Sequence, residues 1–155
     1  PALDRSRFVS GVDALDRYFH ARVLQDVRRQ VASCVVALDR DSALGGFYTL
    51  AAASVLLTAL PEGVARKLPR YPTVPAVRLG RLAVARTVRG QGLGAALLAD
   101  ALARSLVSDI AAFAMIVDAK DAAAAAFYAH HGFLPFADSP GTLFVPRATA
   151  RAALR

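Results

Sequence analysis

Cysteine is almost missing from this chain of 155 residues, with Cys34 the only one. An internal disulfide is therefore excluded, and one cysteine with three histidines offers no spacing that would hold a metal. A reducing cytoplasm and no metal are the expectation. Cys34 lies in the apolar run 31–38, where a buried structural thiol is expected and a nucleophile is not. Long uncharged runs are missing as well. Although 55% of the residues are hydrophobic, no stretch reaches the roughly 20 consecutive apolar residues of a membrane helix. The richest runs, 50–60 and 110–117, read as core elements. No basic segment followed by an apolar one opens the chain, so no secretory signal is visible. Internal repeats and low-complexity linkers are absent.

Acids are scarce: 12 against 19 lysines and arginines, for a net charge of +7. The imbalance is local. Residues 61–94 hold Arg66, Lys67, Arg70, Arg78, Arg81, Arg86 and Arg89, seven cations against the single acid Glu62, a net of +6. Arginine presents planar, bidentate donors suited to phosphates, so a polyanionic partner is a fair inference. A solvated surface in a chain rich in alanine and arginine is the plain alternative, and charge alone does not separate the two.

The length suits one domain over residues 1–155, able to bury about two thirds of its unfolded surface. Val12, Leu15, Phe19, Val23 and Val27 recur at helical spacing and predict one helix over 11–30. A strand over 31–38, a turn at Asp39-Arg40-Asp41-Ser42 and a strand over 46–55 form a hairpin. Four prolines break 61–75 into a short helix near 62–68 and a basic loop. A strand at 76–84 follows. Leu93, Leu97, Leu98, Leu102 and Leu106 mark the buried face of a helix that runs to about Val107. The run 110–117 fits a strand covered on both faces. Asp121 suits the N-cap of the next helix and Gly132 its stop, before strands at 133–136 and 142–145. Residues 147–155 read as a frayed tail. The order is that of an α/β chain with a mixed sheet.

The segment after the 76–84 strand carries the strongest chemical signal. A phosphate needs several converging backbone N–H groups; glycines permit that approach, and the start of a helix adds a positive field. Arg89-Gly90-Gln91-Gly92-Leu93-Gly94 supplies the glycines, the helix start and a cation together. No Lys-Ser/Thr pair follows, as a P-loop requires, and Leu97 stands where a dinucleotide fingerprint has its third glycine. Mere turn residues are the competing explanation.

This loop resembles the Arg/Gln-x-x-Gly-x-Gly/Ala motif of the GNAT N-acetyltransferase superfamily. The likeness extends along most of the chain. Phe8-x-Ser10-Gly11-x-x-x-Leu15-Asp16-x-Tyr18, Gly46-Phe47-Tyr48-Thr49-Leu50, Leu79-Gly80-Arg81-Leu82-Ala83-Val84 and Asp118-Ala119-Lys120-Asp121, with Phe127-Tyr128 and Gly132-Phe133, resemble the GNAT toxins of toxin–antitoxin pairs. Ser10 stands where that family usually carries cysteine, a departure that touches packing.

The resemblance implies a GNAT fold: a mixed, mostly antiparallel sheet flanked by helices, with a V-shaped splay of strands at the acetyl-CoA site. It implies that the backbone of Leu82, Ala83 and Val84 receives the pantetheine arm. The amides of Arg89, Gly90, Gln91, Gly92, Leu93, Gly94 and Ala95 would hold the pyrophosphate, with Phe127 also at the coenzyme. Tyr128 becomes the catalytic candidate. A phenol of pKa ~10 is a suitable proton donor to the departing thiolate, whereas helical spacing alone would make Tyr128 a core partner of Phe127. No dedicated base is legible, since Glu62 is the only glutamate and His130 and His131 have no evident partner. The α-amine of an amino acid whose carboxyl is esterified has a pKa below ~8, so much of it is neutral without help and direct attack is expected.

Such toxins acetylate the α-amine of aminoacyl-tRNA and block translation. Arg66, Lys67, Arg70, Arg78 and Arg81 are then the candidate tRNA contacts, with Arg28 and Arg29 weaker ones. A ribbon-helix-helix antitoxin, DNA contact only through the antitoxin complex, and a homodimer are implied in the same way. Two other functions stay open: acetylation of a protein N-terminus, lysine or small amine, and a non-catalytic co-repressor.

Overall fold

The computed structural model describes residues 3–154. The order is α1 Asp13–Ala21, α2 Val23–Arg28, β1 Ser33–Leu38, β2 Leu44–Leu56, α3 Glu62–Ala65, β3 Thr73–Val84, α4 Leu93–Val107, β4 Ala114–Asp118, α5 Ala122–His130, β5 Leu134–Phe136, β6 Ser139–Pro146 and α6 Arg147–Ala153. Single 3₁₀ turns at Leu57–Ala59 and Arg86–Val88 precede α3 and α4. The strands form one six-stranded sheet in the order β1-β2-β3-β4-β6-β5. The pairs β1–β2, β4–β6 and β5–β6 are antiparallel. This is the mixed α/β sheet that the element order implied, and the mostly antiparallel arrangement with flanking helices that the resemblance implied.

The chain packs as two compact units, residues 3–51 with 79–101 and residues 52–78 with 102–154. In the first, Phe8, Phe19 and Phe47 form the centre of a core that includes Val23, Ala83 and Ala85. Phe19 stacks on Phe47 with centroids 4.2 Å apart, and Phe8 meets both edge-on. In the second, Val55, Leu57, Leu60, Val74, Ala76, Ile116, Phe136 and Phe144 are buried together, with Val64, Ala65 and Leu68 packed against them.

Four local expectations change. The single helix over 11–30 is two, kinked at Arg22 (φ −122°, ψ −26°). Helical bonding still spans the kink, from Arg22 N–H to Tyr18 O and Asp26 N–H to Arg22 O. The bend coincides with burial of Val23 and a 2.9 Å hydrogen bond from the Tyr18 hydroxyl to Asp26. Strand β3 starts at Thr73 despite Pro75, whose carbonyl accepts the Phe113 N–H at 2.8 Å. Strand β4 starts only at Ala114. The Ile110 N–H goes to Ser108 Oγ at 3.2 Å, a local turn that removes a donor from the ladder, and Ile110 stays 77% exposed. Finally, the tail expected to fray from Arg147 is helix α6 through Ala153, with Arg155 outside the described residues. Ala150 is buried, the Arg147 N–H donates to Phe113 O, and its guanidinium donates to the Ser105 carbonyl near the end of α4.

Candidate active site

The first unit builds the loop expected to hold the coenzyme. A bulge between Ala37 and Leu38 leaves Gly45 outside the β1–β2 register, and its carbonyl takes the Ala85 N–H at 2.8 Å. That bond fixes the point where β3 ends. The next amide, Arg86 N–H, donates to Val9 O at 2.9 Å, and the 3₁₀ turn then leads to Arg89. Gly90 (φ +82°) and Gly92 (φ +80°) both lie in the left-handed region, with open space where a Cβ would stand. Glycine is required here by conformation rather than crowding. Ala96 N–H returns to Gly92 O at 3.1 Å, so the amides of Leu93, Gly94 and Ala95 precede the first helical bond and are free to donate outward. Arg89, Gly90, Gln91 and Gly92 are exposed, and Leu93, Gly94 and Ala95 half-buried. An open turn of two glycines running into a helix start fits a pyrophosphate. On the strand before it, Leu82 and Val84 are half-buried and Ala83 is buried.

The Arg89 guanidinium donates to the Ser10 carbonyl, which anchors one edge of this exposed cation. Ser10 is itself held, its N–H and hydroxyl both donating to Asp16 Oδ1 at 2.9 and 2.7 Å. Ser10, 3% exposed, is thus more than a packing residue. Asp16 loses solvation there, yet the Ser10 and Gly11 donors outweigh that and leave its carboxyl below the ordinary value.

Tyr128 belongs to the second unit. Helix α5 is N-capped by Asp121, whose Oδ1 accepts the Ala124 N–H at 2.8 Å, and Gly132 (φ +94°) ends it, as the sequence indicates. Tyr128 is 9% exposed between Phe127 and Phe133, with ring centroids 5.2 and 5.4 Å away. Burial pushes its phenol up to about 12. Its hydroxyl has no hydrogen-bond partner among the described residues, so a neutral O–H is available to a bound group. His131 packs edge-on against Phe127 at 4.8 Å and His130 against His131 at 5.1 Å. Glu62 is exposed on α3. Cys34 is only half-buried, and desolvation raises its thiol to about 11, which keeps it protonated and unsuited to attack. No cluster that could hold a metal exists among the described residues.

The five arginine and lysine candidates divide. Arg66, Lys67 and Arg70 are exposed on the loop after α3. Arg78 is committed to Asp118 at 2.5 Å, and Asp118 also accepts from Thr142 Oγ1 at 2.9 Å. Arg81 lies 3.7 Å above the Tyr18 ring, while its N–H donates to the buried Thr49 Oγ1 at 3.1 Å. Sequence alone missed these partners, since nothing local pairs residue 78 with 118 or 81 with 18.

Residues 23–135 match the family model described as an acetyltransferase (GNAT) domain. The chain belongs to the GNAT acetyltransferase family. This GNAT chain is 37% identical, over 96% of its length and 89% of the relative's, to a tRNA-acetylating toxin of Mycobacterium tuberculosis strain H37Rv. Among solved structures it is similar to AtaT complexed with acetyl-methionyl-tRNAfMet, with a TM-score of 0.89 and 28% identity, covering 99% of this chain and 93% of that one. AtaTR bound with AcCoA gives a TM-score of 0.82 and 29% identity, covering 99% and 92%. The GNAT enzyme is thus an acetyl-CoA-dependent acetyltransferase, with acetyl-CoA as co-substrate. No helix among its described residues is long and apolar enough to cross a membrane.

Proposed function

We propose that this GNAT chain is a toxin that transfers the acetyl group of acetyl-CoA to the α-amine of aminoacyl-tRNA and so blocks translation. The observation that carries this is the end-to-end likeness to a tRNA-acetylating toxin. The exposed cations Arg66, Lys67 and Arg70 supply the charge that a tRNA backbone calls for.

In this reading the loop amides from Arg89 to Ala95 bind the pyrophosphate and the Leu82-Ala83-Val84 backbone aligns the pantetheine. The neutral amine attacks the thioester carbon directly. The N–C bond forms, the C–S bond breaks, the surplus amine proton passes to water, and the sulfur leaves as a thiolate. Tyr128 donates its O–H to that sulfur. Burial acts in two ways here: it guarantees that the phenol carries its proton, and it makes the phenol a weaker acid. Its main service is therefore a hydrogen bond to sulfur while charge develops there. By the same resemblance Phe127 would contribute to coenzyme binding. A ribbon-helix-helix antitoxin, DNA contact only through that complex, homodimerisation and a cytoplasmic location belong to the same proposal.

Mass spectrometry of bulk charged tRNA after incubation with the chain and isotopically labelled acetyl-CoA tests it. Labelled N-acetyl-aminoacyl-tRNA is the expected product. Label confined to protein N-termini, lysines or small amines would move the enzyme to another acceptor, and no label anywhere would favour a co-repressor.

A further inference from the structure

Of the phenylalanine and tyrosine side chains, Tyr71 alone is exposed; every other one is buried or half-buried, whereas Tyr71 is 69% exposed. Its position is unusual in a second way. It follows Arg66, Lys67 and Arg70 on the loop between α3 and β3, all three exposed and without a salt bridge among the described residues. The loop is also held in place. Leu68 packs on the second unit's core before it, Val74 is buried after it, and Leu57 N–H donates to Pro72 O at 3.0 Å. Pro69 and Pro72 flank Arg70 and Tyr71 and restrict the backbone further. The ring is therefore presented to solvent on a stiff support, and little ordering entropy remains to be lost when something lands on it.

An aromatic face beside several unpaired cations is suited to one ligand chemistry in particular: an unpaired nucleotide base whose flanking phosphates meet the cations. Every base has a π-face, and such stacking is sequence-tolerant. Helical RNA hides its base faces, so a stacking ring selects a single-stranded stretch. Resting on the proposed aminoacyl-tRNA acceptor, we infer that Tyr71 is a stacking platform for an unpaired nucleotide near the tRNA 3′ end, with Arg66, Lys67 and Arg70 on its phosphates. Charge counting could not find Tyr71, because the ring carries no charge and sits among prolines that read as plain loop.

Two measurements test this. Under saturating acetyl-CoA, Tyr71→Ala should raise the KM for aminoacyl-tRNA about tenfold, in line with the loss of one stacked base. Its kcat, its KM for acetyl-CoA and its melting temperature should stay at parental values, and Tyr71→Trp should restore the KM. Separately, an acceptor-stem minihelix with 2-aminopurine in its unpaired 3′ strand should lose fluorescence on binding the parent and not on binding Tyr71→Ala. A Tyr71→Ala enzyme with parental KM and parental quenching would overturn the inference, as would a parent that leaves the probe unquenched. Failure of the acceptor itself is distinguishable: the parent would then leave charged tRNA unacetylated, whatever Tyr71→Ala does to the probe.

Discussion

The guanidinium of Arg89 donates to the main-chain carbonyl of Ser10, 79 residues earlier in the chain. With the Arg86 N–H bonded to Val9 O, this ties the start of the proposed coenzyme loop to the segment that leads into α1. Gly11 makes the close approach possible. At φ +93° it adopts a conformation that side chains resist, and a Cβ there would stand 2.9 Å from Arg86 Nε and 3.1 Å from Arg89 Nη2.

Gly11→Ala should therefore lower stability by ~1–2 kcal/mol through the left-handed backbone alone. The displaced arginines should add an effect on the coenzyme: a KM for acetyl-CoA about fivefold higher, equivalent to ~1 kcal/mol, with the acceptor KM unchanged. Thermal melting and initial-rate kinetics read the two parts separately. A variant that melts earlier but binds acetyl-CoA like the parent would show that the tie is only structural.

Gly46 reaches the same site from β2. A Cβ on it would meet the Ala83 carbonyl at 2.8 Å and Leu97 Cδ1 at 2.9 Å. Backbone cannot swing aside as a guanidinium can. Gly46→Ala should cost ~1–3 kcal/mol of overpacking and displace β3 where its backbone is proposed to align the pantetheine. Calorimetric titration with coenzyme A should show weaker binding in proportion.

These two glycines mark the limit of what was legible. The 3.6-residue spacing of Leu93, Leu97 and Leu102 and the Asp121 and Gly132 signals located α4 and α5, because those features act within one element. The glycines of the loop could be read because Gly90 and Gly92 need their conformation locally. Gly11, Gly46 and the partners of Arg78 and Arg81 acquire their roles from distant segments, so no window of sequence contains both halves of any of them. Strand β4 was placed too early for a related reason: the apolar run 110–113 looks like strand, but the Ser108 hydroxyl competes locally for the Ile110 amide.

Pairing also ranks the cations. Arg78 already faces the Asp118 carboxylate, whereas Arg66, Lys67 and Arg70 have no such neighbour among the described residues. Replacing Arg66, Lys67 or Arg70 by alanine should each reduce the slope of log affinity for tRNA against log salt by about 1. Arg78→Ala should change it clearly less, because its charge is largely spent within the protein. Binding of a single charged tRNA across a salt series measures all four. An Arg78→Ala slope change as large as that of Arg70→Ala would mean that the ion pair opens on binding.

Tyr128 sets the expected pH dependence. Its raised value, about 12, favours the protonated phenol, so the donor is intact at every pH below about 11 and is lost only as pH rises beyond that. The acceptor amine runs the other way, reactive once deprotonated, with a pKa below ~8. The rate should thus climb with pH to a plateau near pH 8 and show no falling limb up to about pH 9.5. Tyr128→Phe should keep the climbing limb, since that belongs to the substrate, and lower kcat about 10²-fold or more. Stability should change little, because the hydroxyl bonds to nothing within the described residues and its loss leaves no buried partner unsatisfied. Rate–pH profiles of the two enzymes with one aminoacyl-tRNA, together with their melting curves, decide the matter. A parental falling limb that disappears in Tyr128→Phe would instead identify a phenol that ionises near neutrality, and a Tyr128→Phe enzyme with parental kcat would remove the residue from the chemistry.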